Sequence, residues 1–395
     1  MKFMTSLFLI FSAFITSMAH AVVIPEPPEL SAKGYVLMDF NSGDILAQNN
    51  ADVPIAPASL TKLMTAYVVG KEIESGRLTW DTPVAVSRKA WSANFPESSK
   101  MFIKPGDAVT VKELMLGLII QSGNDAAVAL AEHVAGDEVA FVSLMNGWAQ
   151  SLGMSNTQFV NAHGLDGEDI SSTPRDMALL LKSVIQDVPE VYALYEKRSF
   201  TWAGIQQYNR NKLLWDKTLN VDGGKTGYTE NAGFSLVSSA VQGKMRLISV
   251  VMGTAGSQIR VNESRQLLNY GFRFFETLQV ATKDEVIYEA DVWQGNRDSV
   301  AVALEQDLFL TVPRTQAASL EQELELEPNL KAPIAKGQTI GKVIWSVDGR
   351  EVKSSEVKSA SDVEAGSLFK RLKDAFLLWL SVVLADIGRL FSGAS

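Results

Sequence analysis

Apolar and polar residues alternate over residues 34–40 and 44–48, around the turn Asn41-Ser42-Gly43, which predicts a β-hairpin near the start of the chain. The period then lengthens. Residues 59–75 read as one long helix that stops at Gly76. Thr110 and Glu113 form a capping box before the apolar run 114–120, and Asp137 is placed to cap a helix reaching Leu152. Thr173-Pro174 followed by Asp176 is another helix start, with proline at the first helical position. Alternation returns over 233–241 and 245–252, joined by Gln242-Gly243-Lys244, and a helix over 263–277 follows. Strands at both ends of a helical segment predict an α+β fold with an antiparallel sheet built from both ends.

From 283 to 363 helix signals fade, and short alternating runs at 300–304, 308–312 and 343–347 predict a small all-β domain. The charge-rich stretch 321–327 reads as a solvated loop or edge, and 354–366 as a polar linker. Beyond Ser367 the spacing of Phe369, Leu372, Phe376, Leu380, Val383, Leu384, Ile387 and Phe391 predicts an amphipathic helix. Only 11 residues separate Asp374 from Asp386, well short of the roughly 20 that cross a bilayer. The expectation is a helix lying in the interface over 367–391, with Trp379 among headgroups and basic residues toward anionic lipid. The alternative is a terminal helix packed on the protein's own core. At the other end, Lys2, the apolar stretch 7–15 and Ala19-His20-Ala21 read as a secretory signal peptide, with an uncleaved anchor as the alternative. The expected division is therefore 1–21 leader, 22–278 catalytic domain, 279–364 all-β domain and 365–395 anchoring helix.

Composition narrows the chemistry. With 395 residues and 46% apolar content the chain has ample core for two domains. It has no cysteine, so disulfides and thiolate metal sites are excluded. A net charge of −9 argues against a broad nucleic-acid surface. The three histidines lack the His-Glu-x-x-His spacing, so no metal or other cofactor is implied. His20 falls in the leader, His133 reads as a helix-face residue and His163 as structural.

Three short motifs remain. Ser59 and Lys62, three residues apart at a helix start, place both side chains on one face. A serine hydroxyl is a weak nucleophile until a base takes its proton. Lysine serves only when neutral, which burial or a second cation promotes; a fall of about three pKa units costs roughly 4 kcal/mol. Ser122-Gly123-Asn124 lies between helices at 111–120 and 125–135, where Ser122 can face a leaving group and Asn124 can face Lys62. Alone, that tripeptide also reads as a helix cap. Lys225-Thr226-Gly227 offers a cation and a hydroxyl to a carboxylate, with Gly227 admitting substrate backbone. Together, in this order, the motifs describe a serine acyl-transfer site that works without histidine. Asp187 and Arg210 either line the cleft or form ordinary salt bridges.

The chain resembles the serine D-alanyl-D-alanine carboxypeptidases, the low-molecular-mass penicillin-binding proteins of the 5/6 type. The resemblance rests on the stretches 57–65, 121–126, His163-Gly164-Leu165-Asp166, 219–223 and 270–277. It implies a penicillin-binding/β-lactamase-like transpeptidase domain, then a small all-β domain and an amphipathic tail. It implies that Ser59 is acylated by the penultimate D-Ala carbonyl, that Lys62 is the base and helps activate water for deacylation, and that Ser122 relays a proton to the departing D-Ala. Backbone N–H groups of Ser59 and Tyr228 would form the oxyanion hole, and Asn124 and Gly227 would contact substrate. Lys225, Thr226 and Arg260 would hold the terminal carboxylate, Arg260 being the loosest match. The implied partners are peptidoglycan pentapeptide, β-lactams and a lipid surface at the periplasmic face of the inner membrane. Two departures stand out: Tyr228 occupies a position where relatives carry histidine, and 92–100 is shorter than the family's loop.

Two other readings compete. A class A β-lactamase shares the motifs but needs a glutamate to activate water, and Glu168, Glu190 and Glu196 lack the Glu-x-x-Leu-Asn context. A membrane-associated scaffold with a dead site is the other.

Overall fold

The computed structural model describes residues 24–392; the expected leader at 1–21 lies outside them. Five antiparallel strands form the first sheet, in the order Ile45–Asn49, Gly34–Asp39, Met245–Thr254, Gly233–Gln242, Val221–Thr229. The first two come from the hairpin and the last three from far along the chain, as the alternation predicts. Apolar residues on one face, including Leu37, Leu236, Leu247 and Val251, meet Leu267 and Leu268 of the helix Ser257–Phe274. Val36, Met38, Val237 and Val250 on the other face meet a helical cluster. At its centre runs Lys62–Glu74, buried from Lys62 through Gly70. This all-round burial explains why that helix lacks a polar face.

The expected caps form. Thr110 and Glu113 make the capping box, Asp137 accepts from Ala140 N–H at 2.8 Å, and Thr173 accepts from Asp176 N–H at 3.1 Å. Three expectations are corrected. The segment 59–75 is not one helix: a 3₁₀ turn, Ala58–Thr61, precedes the α-helix. The helix expected over 263–277 begins at Ser257 and ends at Phe274, because Phe275–Ala281 pairs as a strand with Leu308–Pro313. The expected linker 354–366 is structured: Arg350–Ser359 is an inner strand, and Val363 exchanges backbone hydrogen bonds with Ile334 at 2.8 and 2.9 Å. Its alternating polar side chains hid a strand whose other face meets the core.

The second sheet runs Val286–Asp291, Ser299–Ala303, Arg350–Ser359, Thr339–Val347, Leu320–Leu326. The acidic stretch is thus an edge strand. Trp345, Val302, Ile340, Val343 and Val357 fill a separate core. The terminal helix Leu368–Ser392 is tethered by Asp374, which accepts from Gln294 N–H at 2.8 Å, and by an ion pair between Lys370 and Asp298. Leu368, Phe369, Leu372, Phe376 and Trp379 of this helix are exposed. The side chains of Ile387 and Phe391 lie outside the described residues. Among the described residues no helix is long and apolar enough to cross a membrane.

Because Trp345 sits in a core of its own, Trp345→Ala is expected to destabilise the second sheet by about 3–5 kcal/mol. Calorimetry should then show that unit melting early, with the transition of the first domain in place.

Candidate active site

The nucleophile sits on a strained turn. Ala58 has a left-handed φ of +48°, which a non-glycine residue adopts only when its surroundings hold it. The surroundings are specific. A Cβ on Gly164 (φ +83°) would lie 1.8 Å from the Ala58 carbonyl oxygen, so only glycine lets this loop press against the turn. Ser59 emerges half-buried at the cleft, with Lys62 buried below it. Lys62 Nζ lies 3.0 Å from Ser59 Oγ, 2.7 Å from Asn124 Oδ1 and 2.5 Å from the His163 carbonyl oxygen.

Ser122 arrives by a different distortion. The helix Val111–Leu116 widens into a π turn over Gly117–Gln121, and Ser122 follows with φ +65°. Gly117 is required there, since a Cβ would meet Met101 Sδ at 2.3 Å. The neighbouring Asp125 is buried, and its carboxylate accepts from the N–H groups of Met101, Phe102, Ile103 and Ala126. This clamps the short 92–100 loop over the site. Ser98 Oγ there accepts from Asn124 Nδ2 at 2.8 Å, and the Ser99 carbonyl accepts from Asn124 N–H at 2.8 Å.

The third wall is Val221–Thr229, the edge strand of the first sheet. Lys225 Nζ donates to Ser122 Oγ at 2.8 Å. Gly227 lines the cleft and also packs against the nucleophile turn. A Cβ would sit 3.0 Å from the Pro57 carbonyl oxygen and 3.2 Å from Leu60 Cγ, so glycine lets the strand approach the nucleophile turn. Tyr228 is 51% exposed and stacks on Phe234 with ring centroids 4.2 Å apart. Arg260 Nη1 donates to the carbonyls of Gly227 at 2.8 Å and Ser235 at 3.2 Å. These walls enclose a cleft of ≈ 630 Å³ lined by Ser59, Ser122, Asn124, Thr226, Gly227, Tyr228, Arg210 and Arg260. Thus every residue expected at the site reaches one place.

Its electrostatics favour a neutral base. Burial pushes Lys62 well below the usual lysine range, and the charge of Arg210 pushes it further; Asp125 opposes only in part. Lys225 is lowered by burial and then by Lys62, Arg210 and Arg260. A neutral amine has two N–H donors and one lone pair. The two shortest contacts of Lys62, to Asn124 Oδ1 and the His163 carbonyl, take the donors, and the lone pair is left for the Ser59 hydroxyl. His163 is itself held neutral, lowered to about 4 by burial and the nearby Lys62, and its Nδ1 accepts from Leu165 N–H at 3.1 Å.

Sequence reasoning left Arg210 open between two readings and missed two contributors, the His163 carbonyl and Ser98. Arg210 lines the cleft instead of forming a salt bridge. Asp187 does not line it and accepts from Tyr67 Oη at 2.9 Å elsewhere. The His163 carbonyl and Ser98 complete the cage around Lys62 and Asn124. A backbone acceptor leaves no trace in residue type, although the stretch 163–166 marked where to look. Glu168, Glu190 and Glu196 are not among the residues lining the cleft.

Comparisons with known proteins agree with this geometry. Residues 21–256 match the D-alanyl-D-alanine carboxypeptidase family, peptidase S11, and residues 275–365 match the C-terminal domain of penicillin-binding protein 5. The chain is 46% identical over 357 residues to D-alanyl-D-alanine carboxypeptidase DacC of Escherichia coli, covering 89% of each. It is 44% identical to D-alanyl-D-alanine carboxypeptidase DacA of Haemophilus influenzae, covering 94% of this chain and 95% of that one. Among solved structures, penicillin binding protein 5 from Haemophilus influenzae superposes with a TM-score of 0.84 at 45% identity, over 86% of this chain and 99% of the other. The chain belongs to the D-alanyl-D-alanine carboxypeptidases of peptidase family S11, alongside penicillin-binding proteins 5 and 6.

Proposed function

We propose that the chain removes the terminal D-alanine from peptidoglycan pentapeptide stems through a Ser59 acyl-enzyme. The observation that carries this reading is the 3.0 Å approach of a buried Lys62 to Ser59 Oγ. Neutral Lys62 takes the hydroxyl proton as Ser59 Oγ attacks the carbonyl of the penultimate D-Ala. The developing oxyanion is received by the backbone N–H groups of Ser59 and Tyr228. Ser122, whose oxygen accepts from Lys225, relays the proton taken by Lys62 to the departing D-Ala amine as the peptide bond breaks, which returns Lys62 to its neutral form. Water, activated by Lys62, then splits the acyl ester and frees Ser59. A β-lactam enters the same path: its ring amide is opened by Ser59, and its amine stays tethered. None of the glutamates weighed as deacylating bases lines the cleft, which favours the carboxypeptidase over a fast β-lactamase.

The same reading extends to the ends of the chain. Residues 1–21 are the leader that exports it, 22–278 the catalytic domain, 279–364 the all-β domain, and 365–395 an amphipathic helix that rests on the periplasmic face of the inner membrane. The exposed row of Leu368, Phe369, Leu372, Phe376 and Trp379 supports this placement.

Ser59→Ala is expected to abolish both release of free D-Ala from a peptide ending in D-Ala-D-Ala and labelling by fluorescent penicillin; equal release from wild type and variant would refute the mechanism. Lys62→Arg keeps the charge but cannot act as a base, so acylation should fall by about 10²–10⁴-fold. Removing residues 367–395 should shift the protein from the vesicle pellet to the supernatant in a sedimentation assay with anionic liposomes, while D-Ala release from soluble peptide persists.

A further inference from the structure

Lys62 touches three groups, and one of them differs in kind. Ser59 and Asn124 are side chains carried by helical segments, but the third partner is a backbone carbonyl, that of His163. A carbonyl is only as fixed as its loop, and residues 159–166 form neither helix nor strand. What fixes this loop therefore bears on the base. Asn161 shapes the turn from within, its Oδ1 accepting from the N–H groups of His163 at 3.2 Å and Gly164 at 2.6 Å. Asn146 holds the near end, exchanging two 2.9 Å bonds with the backbone of Phe159. Close to Lys62 the scaffold grips a single residue, Ala162, by both its polar groups. Thr65 Oγ1, on the same helix as Lys62, donates to the Ala162 carbonyl at 2.6 Å. The Ala162 N–H donates to Glu138 Oε1 at 3.1 Å.

Glu138 is built into that place. It opens the helix Glu138–Ser151, which Asp137 caps. Its side chain is only 12% exposed, and its second oxygen, Oε2, lies 2.8 Å from Lys89 Nζ. His163 Nδ1 accepts from Leu165 N–H, so the neutral ring carries its proton on Nε2. That nitrogen faces Glu138 Oε1 at 3.7 Å. Lys89 and His163 are the charged or titratable groups that face the carboxylate, and Glu132 and Asp137 lie beyond Lys89. Burial works against the charge of Glu138, but the bonds from Lys89 and Ala162 outweigh it and hold the carboxyl below its usual range. Neither Glu138 nor Ala162 is among the residues lining the cleft, so neither meets substrate. Ala162 is fully buried. Without the Glu138 oxygen its N–H would be enclosed and unpaired, a state that loops relieve by moving or by admitting water. The His163 carbonyl, on the next residue, moves with it.

We propose that Glu138 is a positioning residue for the base: its Oε1 holds the Ala162 N–H, and through it keeps the His163 carbonyl against Lys62. The acceptor oxygen does this, not the negative charge, because the bond that transmits the constraint comes from a neutral backbone N–H. The inference rests on Lys62 being the base.

The test compares Glu138→Met and Glu138→Ala, which remove the acceptor, with Glu138→Gln, which keeps it. Rates are referred to sites counted by completed penicillin labelling, so only folded enzyme enters, and thermal midpoints are recorded. With a peptide ending in D-Ala-D-Ala, the Met and Ala variants should lose on the order of 10- to 10²-fold in kcat, with KM changed by less than about threefold. Acylation by fluorescent penicillin should slow, and the acyl-enzyme should live longer, because Lys62 serves both steps. Glu138→Gln should stay within about threefold of wild type in each measurement. In protein labelled at lysine Cε, the Lys62 titration in Glu138→Met should move up toward the surface lysines, since water entering the cage relieves the burial that lowers it most. Wild-type kcat in the Met and Ala variants overturns the proposal. So does an equal loss in Glu138→Gln, which would assign the effect to charge. A lowered kcat with an unmoved Lys62 titration also overturns it, by placing the effect on the nucleophile turn that Gly164 presses. Lys62→Arg is run alongside: turnover like wild type there would refute the base itself, whatever the Glu138 variants show.

Discussion

The structure depends on one burial: the amine of Lys62 enclosed beside other cations. A lysine in water is protonated and cannot take a proton from serine. Here the enclosing protein removes solvent, and Arg210 adds repulsion, so the charged form is disfavoured. The cost is met by the rest of the domain. The central helix is buried along most of its length, and the sheet and helices around it supply the apolar area.

Close backbone approach keeps the cage shut. Gly164 presses on the nucleophile turn, Gly227 brings the edge strand against it, and Gly117 admits Met101 under the loop that holds Ser122. At each position a methyl group would push apart two of the three walls. The strain at Ala58 and Ser122, both with positive φ, lies where these walls meet. Rigid walls matter because the mechanism needs the hydroxyl, the amine and the second serine fixed before substrate arrives.

Much of this was legible in the sequence. The hairpin, the capped helices and the returning strands follow from period and caps, and the three motifs name the side chains that converge. What escaped was set by contacts between distant segments. The strand Arg350–Ser359 looks polar because alternate positions face solvent, and only its partners reveal that it is an inner strand. Phe275–Ala281 continues a helical pattern but is captured by Leu308–Pro313. The π turn before Ser122 packs Gly117 against Met101, from a distant loop. Arg210 carries no motif; its place beside Lys62 and Lys225 is a product of the fold. The packing of Gly227 on the protein's own turn also left no trace in the motif.

As a D-alanyl-D-alanine carboxypeptidase, the chain should have a resting enzyme in which Lys62 is already neutral. This can be read directly by NMR titration of the protein labelled at lysine Cε, with the Lys62 signal assigned by its loss in Lys62→Arg. The account predicts that the Lys62 resonance, like that of Lys225, titrates well below the surface lysines. A Lys62 signal that remains that of a charged ammonium until about pH 10, with the surface lysines, would contradict it.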